Sequence, residues 1–304
     1  MRNALAVLLL ATFVAPPLSA LAQPVAIAWS PVGNPGNAAD PATGFGALGY
    51  SYNIGTHDVT NSQYAKFLNA KDPTGANALG LYTSKRGTAA RNGGINYNAG
   101  DANGSKFSVS SSRGNHPVNY VTWYSAIRFA NWLNNGQGSG DTETGAYTLQ
   151  GGTPTPNNGN SITRNAGAKV FLPSENEWYK AAYYNPATSS YFQYPTSSNM
   201  APTASVPTGA INSANYNNVS VNKSHPEGKL TDVGAYTGTT SPSGAFDMGG
   251  NVIQWNESRS RYMQRGLRGG SFVDNFRFLH SSANNYVTPT EEYSFLGFRV
   301  ASIP

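Results

Sequence analysis

The sequence predicts a loop-rich fold built from short strands and a few helices. Glycine and proline, which favour turns, occur 33 and 19 times in 304 residues. Aromatic residues form 12% of the chain, enough to bury a substantial core. The apolar segments near the C-terminus are short and separated by paired glycines and polar turns, as in short strands joined by loops.

The N-terminus has the pattern of a signal peptide. Arg2 precedes an apolar run at 4–14, and Ala20 and Ala22 have the spacing of a cleavage site. We predict that residues 1–22 are removed on export, leaving a single domain over 23–304. The apolar run is too short for a permanent membrane span, and no later segment is long enough. The chain has no cysteine, so disulfides are excluded.

Five short strands are predicted before the C-terminal region, from brief apolar or aromatic runs between turn residues. They lie at 25–32, 50–54, 95–97, 107–109 and 146–149.

The first predicted helix follows Asp58. Thr60 or Asn61 can cap its N-terminus. Apolar side chains three and four residues apart then form one buried stripe, namely Tyr64, Phe67 and Leu68.

Two further helices have clear start signals. Thr122 is the expected cap of the second, and Ser174 with Glu177 forms the capping box of the third. Their predicted buried faces are Trp123, Ala126, Ile127, Ala130 and Leu133 in the second helix, and Trp178, Ala181 and Ala182 in the third.

Four arginines cluster near the C-terminus, at Arg259, Arg261, Arg265 and Arg268. They lie beside a strand and turn signal, and we interpret them as a solvated loop. Other basic residues are dispersed, so no nucleic-acid partner is expected.

Short blocks through most of the mature chain form an ordered pattern. They are DVTNSQY at 58–64, HPVNYVTWYSA at 116–126, FLPSENEW at 171–178, FDMGGNVIQW at 246–255, and RGGSF at 268–272 followed by GFR at 297–299. In wording and order they resemble the formylglycine-generating enzyme family, also called the sulfatase-modifying-factor domain. The resemblance implies that family's α+β, C-type-lectin-like fold. Phe171 stands where the family usually has Arg.

The resemblance also implies copper chemistry, for which this chain lacks the ligands. Formylglycine-generating members hold Cu(I) between two cysteine thiolates in the segment after RGGS. Here Asp274 stands near the first position, and the second falls within 275–278. Carboxylate and amide groups are hard ligands and do not replace thiolates on Cu(I). We therefore expect copper to be absent and the oxidase mechanism to be lost.

Five residues of this segment are candidate pocket residues: Ser271, Asp274, Arg277, His280 and Asn284. A serine–histidine–aspartate triad can be drawn among them, but no G-x-S-x-G elbow supports hydrolysis.

A second branch of the family uses non-heme iron. The four histidines, His57, His116, His225 and His280, form none of the usual metal-binding spacings. A triad assembled in space stays an open alternative.

Calcium is the favoured cofactor. Carried over from the family by position, its ligands are Asp247, the carbonyls of Gly250 and Val252, and Gln254, where Glu is usual. A weaker second site maps onto Asn215 and Tyr216. Calcium takes six to eight oxygens from such mixed sources.

We therefore interpret the chain as an exported module that binds a peptide, protein or small molecule in a groove floored by residues 268–280. A non-heme iron oxidase or oxygenase is the alternative from the enzyme class. A structural cell-surface protein is the third hypothesis, and it requires a sorting anchor after Pro304.

Overall fold

The computed structural model describes residues 24–87, 92–219 and 230–304. The predicted signal peptide and His225 lie outside these residues. The described chain forms three α-helices, two short 3₁₀ turns and fourteen strands of two to seven residues. The loop-rich prediction, with short strands and few helices, is confirmed.

The three helices begin at the predicted caps. They are α1 (Asn61–Lys71), α2 (Trp123–Asn134) and α3 (Glu175–Tyr183). Thr60 caps α1 and forms a capping box with Gln63, and Ser174 does the same with Glu177 in α3. These bonds satisfy backbone N–H groups that have no partner inside a helix.

The strands of the described residues are β1 (Trp29–Val32), β2 (Tyr52–Gly55), β3 (Ile95–Tyr97), β4 (Phe107–Val109), β5 (Val170–Phe171), β6 (Tyr184–Asn185), β7 (Ser190–Tyr191), β8 (Thr203–Ala204), β9 (Ser213–Ala214), β10 (Ile253–Arg259), β11 (Arg265–Arg268), β12 (Asn285–Val287), β13 (Leu296–Phe298) and β14 (Ala301–Ser302).

Two four-stranded sheets frame the domain. The first has the order β1-β2-β14-β5, so the last strand of the chain lies between two early ones. Ala301 pairs with Ile54 of β2 on one side and Phe171 of β5 on the other. The second sheet has the order β12-β11-β10-β13, and three strand pairs complete the set: β3-β4, β6-β7 and β8-β9.

One large aromatic-rich core joins the helices to both sheets. Trp123 of α2, Trp178 of α3 and Trp255 of β10 are fully buried in it. The predicted buried faces are confirmed except at Leu133, which is only partly buried. None of the described helices is long and apolar enough to cross a membrane.

Two predictions about local structure were wrong. Residues 146–149 form no strand, because only Tyr147 makes an isolated bridge, to Arg164. The arginine cluster is not a solvated loop as a whole, since Arg265 and Arg268 are 3% and 1% exposed within β11. The guanidinium of Arg265 lies 3.6 Å from the Trp123 ring, a cation–π contact that compensates for lost water.

Candidate functional site

The loop before β10 and the first two residues of that strand, 247–254, are called here the Asp247 turn. This turn lies beside the residues that follow β11. A Cβ on Gly269 would lie 2.7 Å from the Met248 carbonyl oxygen, and Gly269 has a φ of +96°. Only glycine combines this approach with that backbone angle. The amide of Gly250 donates to the Gly269 carbonyl at 3.0 Å. The two loops that carry the predicted site residues are therefore neighbours.

Hydrogen bonds engage Asp247 and Gln254, two of the polar side chains of the Asp247 turn. Asp247 Oδ2 accepts from the Gly234 amide at 2.7 Å, and the Asp247 carbonyl accepts from Gln254 Nε2 at 2.8 Å. Gln254 Oε1 accepts from Trp178 Nε1 at 2.8 Å and from Arg299 Nε at 2.7 Å. The amide oxygen expected to bind calcium therefore faces two donors, and one of them is a cation.

The structure brings all four residues of the first predicted calcium set into this turn. Gly250 has a φ of +83°, and a Cβ there would lie 2.4 Å from the Asn215 carbonyl oxygen. Val252 is fully buried. Since Gln254 is engaged by Arg299, it does not fit the ligand role as it stands. Asp247 is the one carboxylate of the set.

Arg299 organises this region, and sequence reasoning missed its role. Its guanidinium donates to the carbonyls of Gly55 and Phe246, both at 2.8 Å, and to Asp58 Oδ1 at 3.1 Å. The side chains of Arg299 and Asp58 are both 0% exposed. Together with the Gln254 bond, these contacts tie the end of β2 and the start of α1 to the Asp247 turn. The only signal in the sequence was the GFR block.

Two carboxyl groups lie near the Arg299 guanidinium. Burial raises the pKa of Asp58 to about 8, although Arg299 acts in the opposite direction. Burial also raises the pKa of Asp247 to about 6, against the Gly234 hydrogen bond and Arg299. Asp58 Oδ2 is buried without a hydrogen-bond partner. This cluster holds protons more tightly than carboxyl groups in water.

The second predicted calcium pair lies on the far side of the Asp247 turn. Asn215 Nδ2 donates to Asn251 Oδ1 at 3.2 Å, and the Asn215 carbonyl accepts from the Asn251 amide at 2.8 Å. The Tyr216 hydroxyl donates to the Pro202 carbonyl. In the described structure both residues help hold two loops together.

Ser271 and Asp274 are joined to each other. The amide and the hydroxyl of Ser271 donate to Asp274 Oδ2 at 2.9 and 2.7 Å. The Asp274 carbonyl accepts from the Asn217 amide at 2.7 Å. Ser271 is fully buried. Its hydroxyl is bonded to a carboxylate and not to His280, so the pair fixes a turn.

A short segment at 273–278, called here the surface segment, follows this turn. Asn275 caps its 3₁₀ turn, with Oδ1 accepting from the Arg277 amide at 3.0 Å. Leu279, directly after it, is fully buried, and its carbonyl accepts from the Tyr183 hydroxyl at 3.1 Å. The segment is thus held at both ends by buried groups.

The surface segment presents apolar side chains to solvent. Val273, Phe276 and Phe278 are 37%, 41% and 38% exposed, and Arg277 between the two rings is also exposed. Three large apolar side chains are thus partly exposed within six residues of a well-anchored backbone. Exposed apolar side chains mark an interaction surface when they form one contiguous patch.

The side chains of His280 and Asn284 form hydrogen bonds to nearby residues of the chain. His280 Nδ1 accepts from the Ser282 amide at 3.1 Å. Its ring packs edge-on against Tyr194 at 5.2 Å. The exposed Asn284 donates to the Tyr286 hydroxyl at 3.3 Å. The five pocket candidates thus lie along one stretch of chain without forming a catalytic hydrogen-bond chain.

Of the other two described histidines, His57 lies beside the Asp247 turn and His116 lies near Asp232. His57 stacks on Phe246 with ring centroids 5.3 Å apart, and His116 Nε2 lies 3.5 Å from Asp232 Oδ1. Burial lowers the pKa of both rings. In the described part of the chain, no three His, Asp or Glu side chains are grouped to hold a metal. The iron alternative stays a prediction.

The copper ligands of the resembled family have no counterpart in this chain. No residue is a cysteine. The carboxylate at Asp274 is engaged by Ser271, and 275–278 carries an amide, two phenyl rings and a guanidinium. A bis-thiolate Cu(I) centre does not fit these donors.

Comparisons with known proteins agree with the fold. Residues 38–303 match the sulfatase-modifying factor enzyme 1-like domain. The structure is similar to CarF, with a TM-score of 0.60 and 20% identity over 92% of this chain and 99% of that chain. It is also similar to Treponema denticola variable protein 1, with a TM-score of 0.53 and 21% identity over 84% of this chain and 85% of that one. At these identities the likeness concerns the fold alone. No match is found among curated proteins.

Proposed function

Because the chain belongs to the sulfatase-modifying factor enzyme 1-like domain family, we propose that it is an exported binding module that has lost copper–cysteine oxidation. It recognises a polypeptide through the surface segment. The observation that carries this proposal is the exposure of Val273, Phe276 and Phe278 on anchored backbone. The family's oxidative chemistry depends on thiolates in this same segment, which here has none.

The composition of the surface segment suits recognition of a polypeptide. Aromatic rings and arginine are enriched among the residues that dominate binding energy at protein interfaces. The Ser271–Asp274 bonds and the buried Leu279 order the segment in advance. Less conformational entropy is then lost on binding, because the backbone is already held. Export is supported by the signal-like pattern at 1–22.

The binding proposal can be tested by selection from a phage-displayed library of random dodecapeptides. Selected peptides are then measured against the protein and a Phe276→Ser, Phe278→Ser variant. We expect the variant to lose about thirtyfold or more in affinity, the effect of removing an interface hot spot. Equal affinity for both proteins would overturn the proposal.

The matched control changes two exposed apolar residues elsewhere. Tyr262 and Met263, at the tip of the β10–β11 hairpin, are 69% and 51% exposed. The Tyr262→Ser, Met263→Ser variant should retain peptide affinity. Equal losses in both variants would mean that the peptides merely adsorb to apolar surface.

The loss of oxidation is tested separately, with a cysteine-containing sulfatase peptide incubated with and without copper. We expect no formylglycine, because no thiolate is present to bind Cu(I). Formation of the aldehyde by this chain alone would contradict that part of the proposal.

A further inference from the structure

A small open cavity lies where the end of β1, the end of α3 and the loop at 242–243 meet. Its volume is about 50 Å³. Since about 10–15 Å³ accommodates one water, roughly three to five non-hydrogen atoms fit inside. Its walls include Pro31, Val32, Pro186 and Pro242. The prolines have fixed φ angles, which makes the walls stiff.

Lys180 of α3 supplies the positive charge of this cavity. The residue is 1% exposed, and its Nζ donates to the Asn34 carbonyl at 2.8 Å. That Nζ lies 5.5 Å from the centre of the Tyr184 ring, which also lines the cavity. Asn34 has a φ of +56°, so a tight turn presents its carbonyl to the ammonium.

The Lys180 ammonium is incompletely satisfied by the described residues. It has three N–H groups, of which the Asn34 carbonyl takes one. Lys180 takes part in none of the ion pairs found in the described residues. Burial lowers the pKa of Lys180. A buried cation with neither a counter-charge nor a full set of acceptors is costly, and an anion in the cavity would remove that cost.

We propose that the Lys180 cavity binds the carboxylate end of a small apolar acid. One ammonium matches the single charge of a carboxylate, whereas a phosphate usually needs several donors. The proline and valine walls suit the carbon atoms next to the carboxylate. The Asn34 carbonyl fixes the ammonium beside the cavity before the ligand arrives. This site shares no residue with the surface segment, so the inference goes beyond the proposed function and does not rest on it.

The test titrates the purified protein with sodium benzoate, neutral benzamide and inorganic phosphate, using calorimetry and the amide NMR signals of residues 33 and 34. Benzoate should bind saturably, and benzamide at least about tenfold more weakly, because it cannot form the charged hydrogen bond. Benzoate affinity should fall as the pH rises and Lys180 loses its proton. Equal binding of benzoate and benzamide, or tighter binding of phosphate, overturns the proposal.

Two variants test whether the Lys180 ammonium is the group that binds benzoate. Lys180→Met keeps the length of the side chain but removes the ammonium, and it should weaken benzoate binding at least about tenfold. Lys169→Met, at an exposed position directly before β5, serves as the control and should bind as the parent does. Unchanged affinity in Lys180→Met, or an equal loss in Lys169→Met, counts against the site. The comparison of benzoate with benzamide needs no variant and stands if Lys180→Met fails to fold.

Discussion

The Asp247 turn and the surface segment are neighbours, yet their side chains serve different ends. In the turn, the Gln254 side chain donates a hydrogen bond to the Asp247 carbonyl and accepts hydrogen bonds from Trp178 and Arg299. In the surface segment, Phe276, Arg277 and Phe278 extend into solvent. The first region holds distant parts of the chain together, whereas the second is held by them. Two adjacent regions of one fold can thus differ, with side chains engaged internally in one and exposed in the other.

The largest difference between the two regions should appear when the Arg299 guanidinium is removed from the Asp247 turn. Arg299→Met leaves Asp58 buried without its partner and removes donors from two carbonyls. At pH 8 and above, where Asp58 is ionised, we expect a loss of about 3–5 kcal/mol in unfolding free energy, because an unpaired charge is left buried. The control Arg277→Met removes an exposed guanidinium and should stay within about 0.5 kcal/mol. Denaturant unfolding measures both, and similar losses would erase the distinction between the regions.

A second prediction concerns pH. Asp247 and Asp58 have raised pKa values of about 6 and about 8 in the folded protein. The folded state therefore binds more protons than the unfolded state, and stability should fall as pH rises from about 4 towards 8. The loss of unfolding free energy that comes from Asp247 is complete near pH 6. It amounts to roughly 2–3 kcal/mol, at about 1.4 kcal/mol per pKa unit. The lowered pKa of Glu177 has the opposite sign but acts below its ordinary value of 4.5. The lowered pKa values of His57 and His116 also have the opposite sign and act below 6.5, so the contribution of Asp247 is read from the difference between the parent and Asp247→Asn.

The pH prediction is checked by denaturant unfolding between pH 5 and 8. Asp247→Asn removes one titrating group, so its stability curve should be flatter than the parent's between pH 5 and 6. Identical slopes in that interval would mean that Asp247 does not titrate there.

A third prediction concerns calcium. Calcium binding would give the Asp247 turn an external ligand in addition to its internal hydrogen bonds. Since Gln254 is engaged by Arg299, we expect weak binding with millimolar dissociation constants. At tenfold excess over Kd, the stabilisation is about 1.4 kcal/mol. Asp247→Asn should abolish it, and so should a pH below about 6, where the Asp247 carboxyl takes up a proton. Melting curves measured in calcium and in chelator test this prediction. Superimposable curves would mean that calcium does not bind the folded protein.

The smallest expected effect is on the stability of the Phe276→Ser, Phe278→Ser variant. Both side chains are more than a third exposed, so unfolding free energy should fall by only about 1 kcal/mol per site. Thermal melting of this variant checks that any loss of peptide binding comes from the surface and not from unfolding. A large fall in melting temperature would show that the rings are packed as part of the core.

The sequence by itself determined the helix starts and the family. Thr122 and the Ser174–Glu177 box lie within three residues of the groups they satisfy, so local chemistry decides them. The apolar stripes of the helices follow from a fixed helical period. The family follows from five blocks in order, and it carried the α+β fold with it.

Only the tertiary structure decided which polar residues are structural. Arg299 gains its role from Gly55 and Asp58, more than 200 residues away in sequence, and no local pattern encodes such a contact. The same holds for Arg268, buried because Glu175 and the rings of Phe45 and Tyr179 surround it. The family resemblance predicted Gln254 as a calcium ligand, whereas in the folded chain its Oε1 accepts a hydrogen bond from Arg299. The desolvation cost of a buried charge is offset only where hydrogen-bonding and charged partners surround it. Those partners come together only in the folded chain.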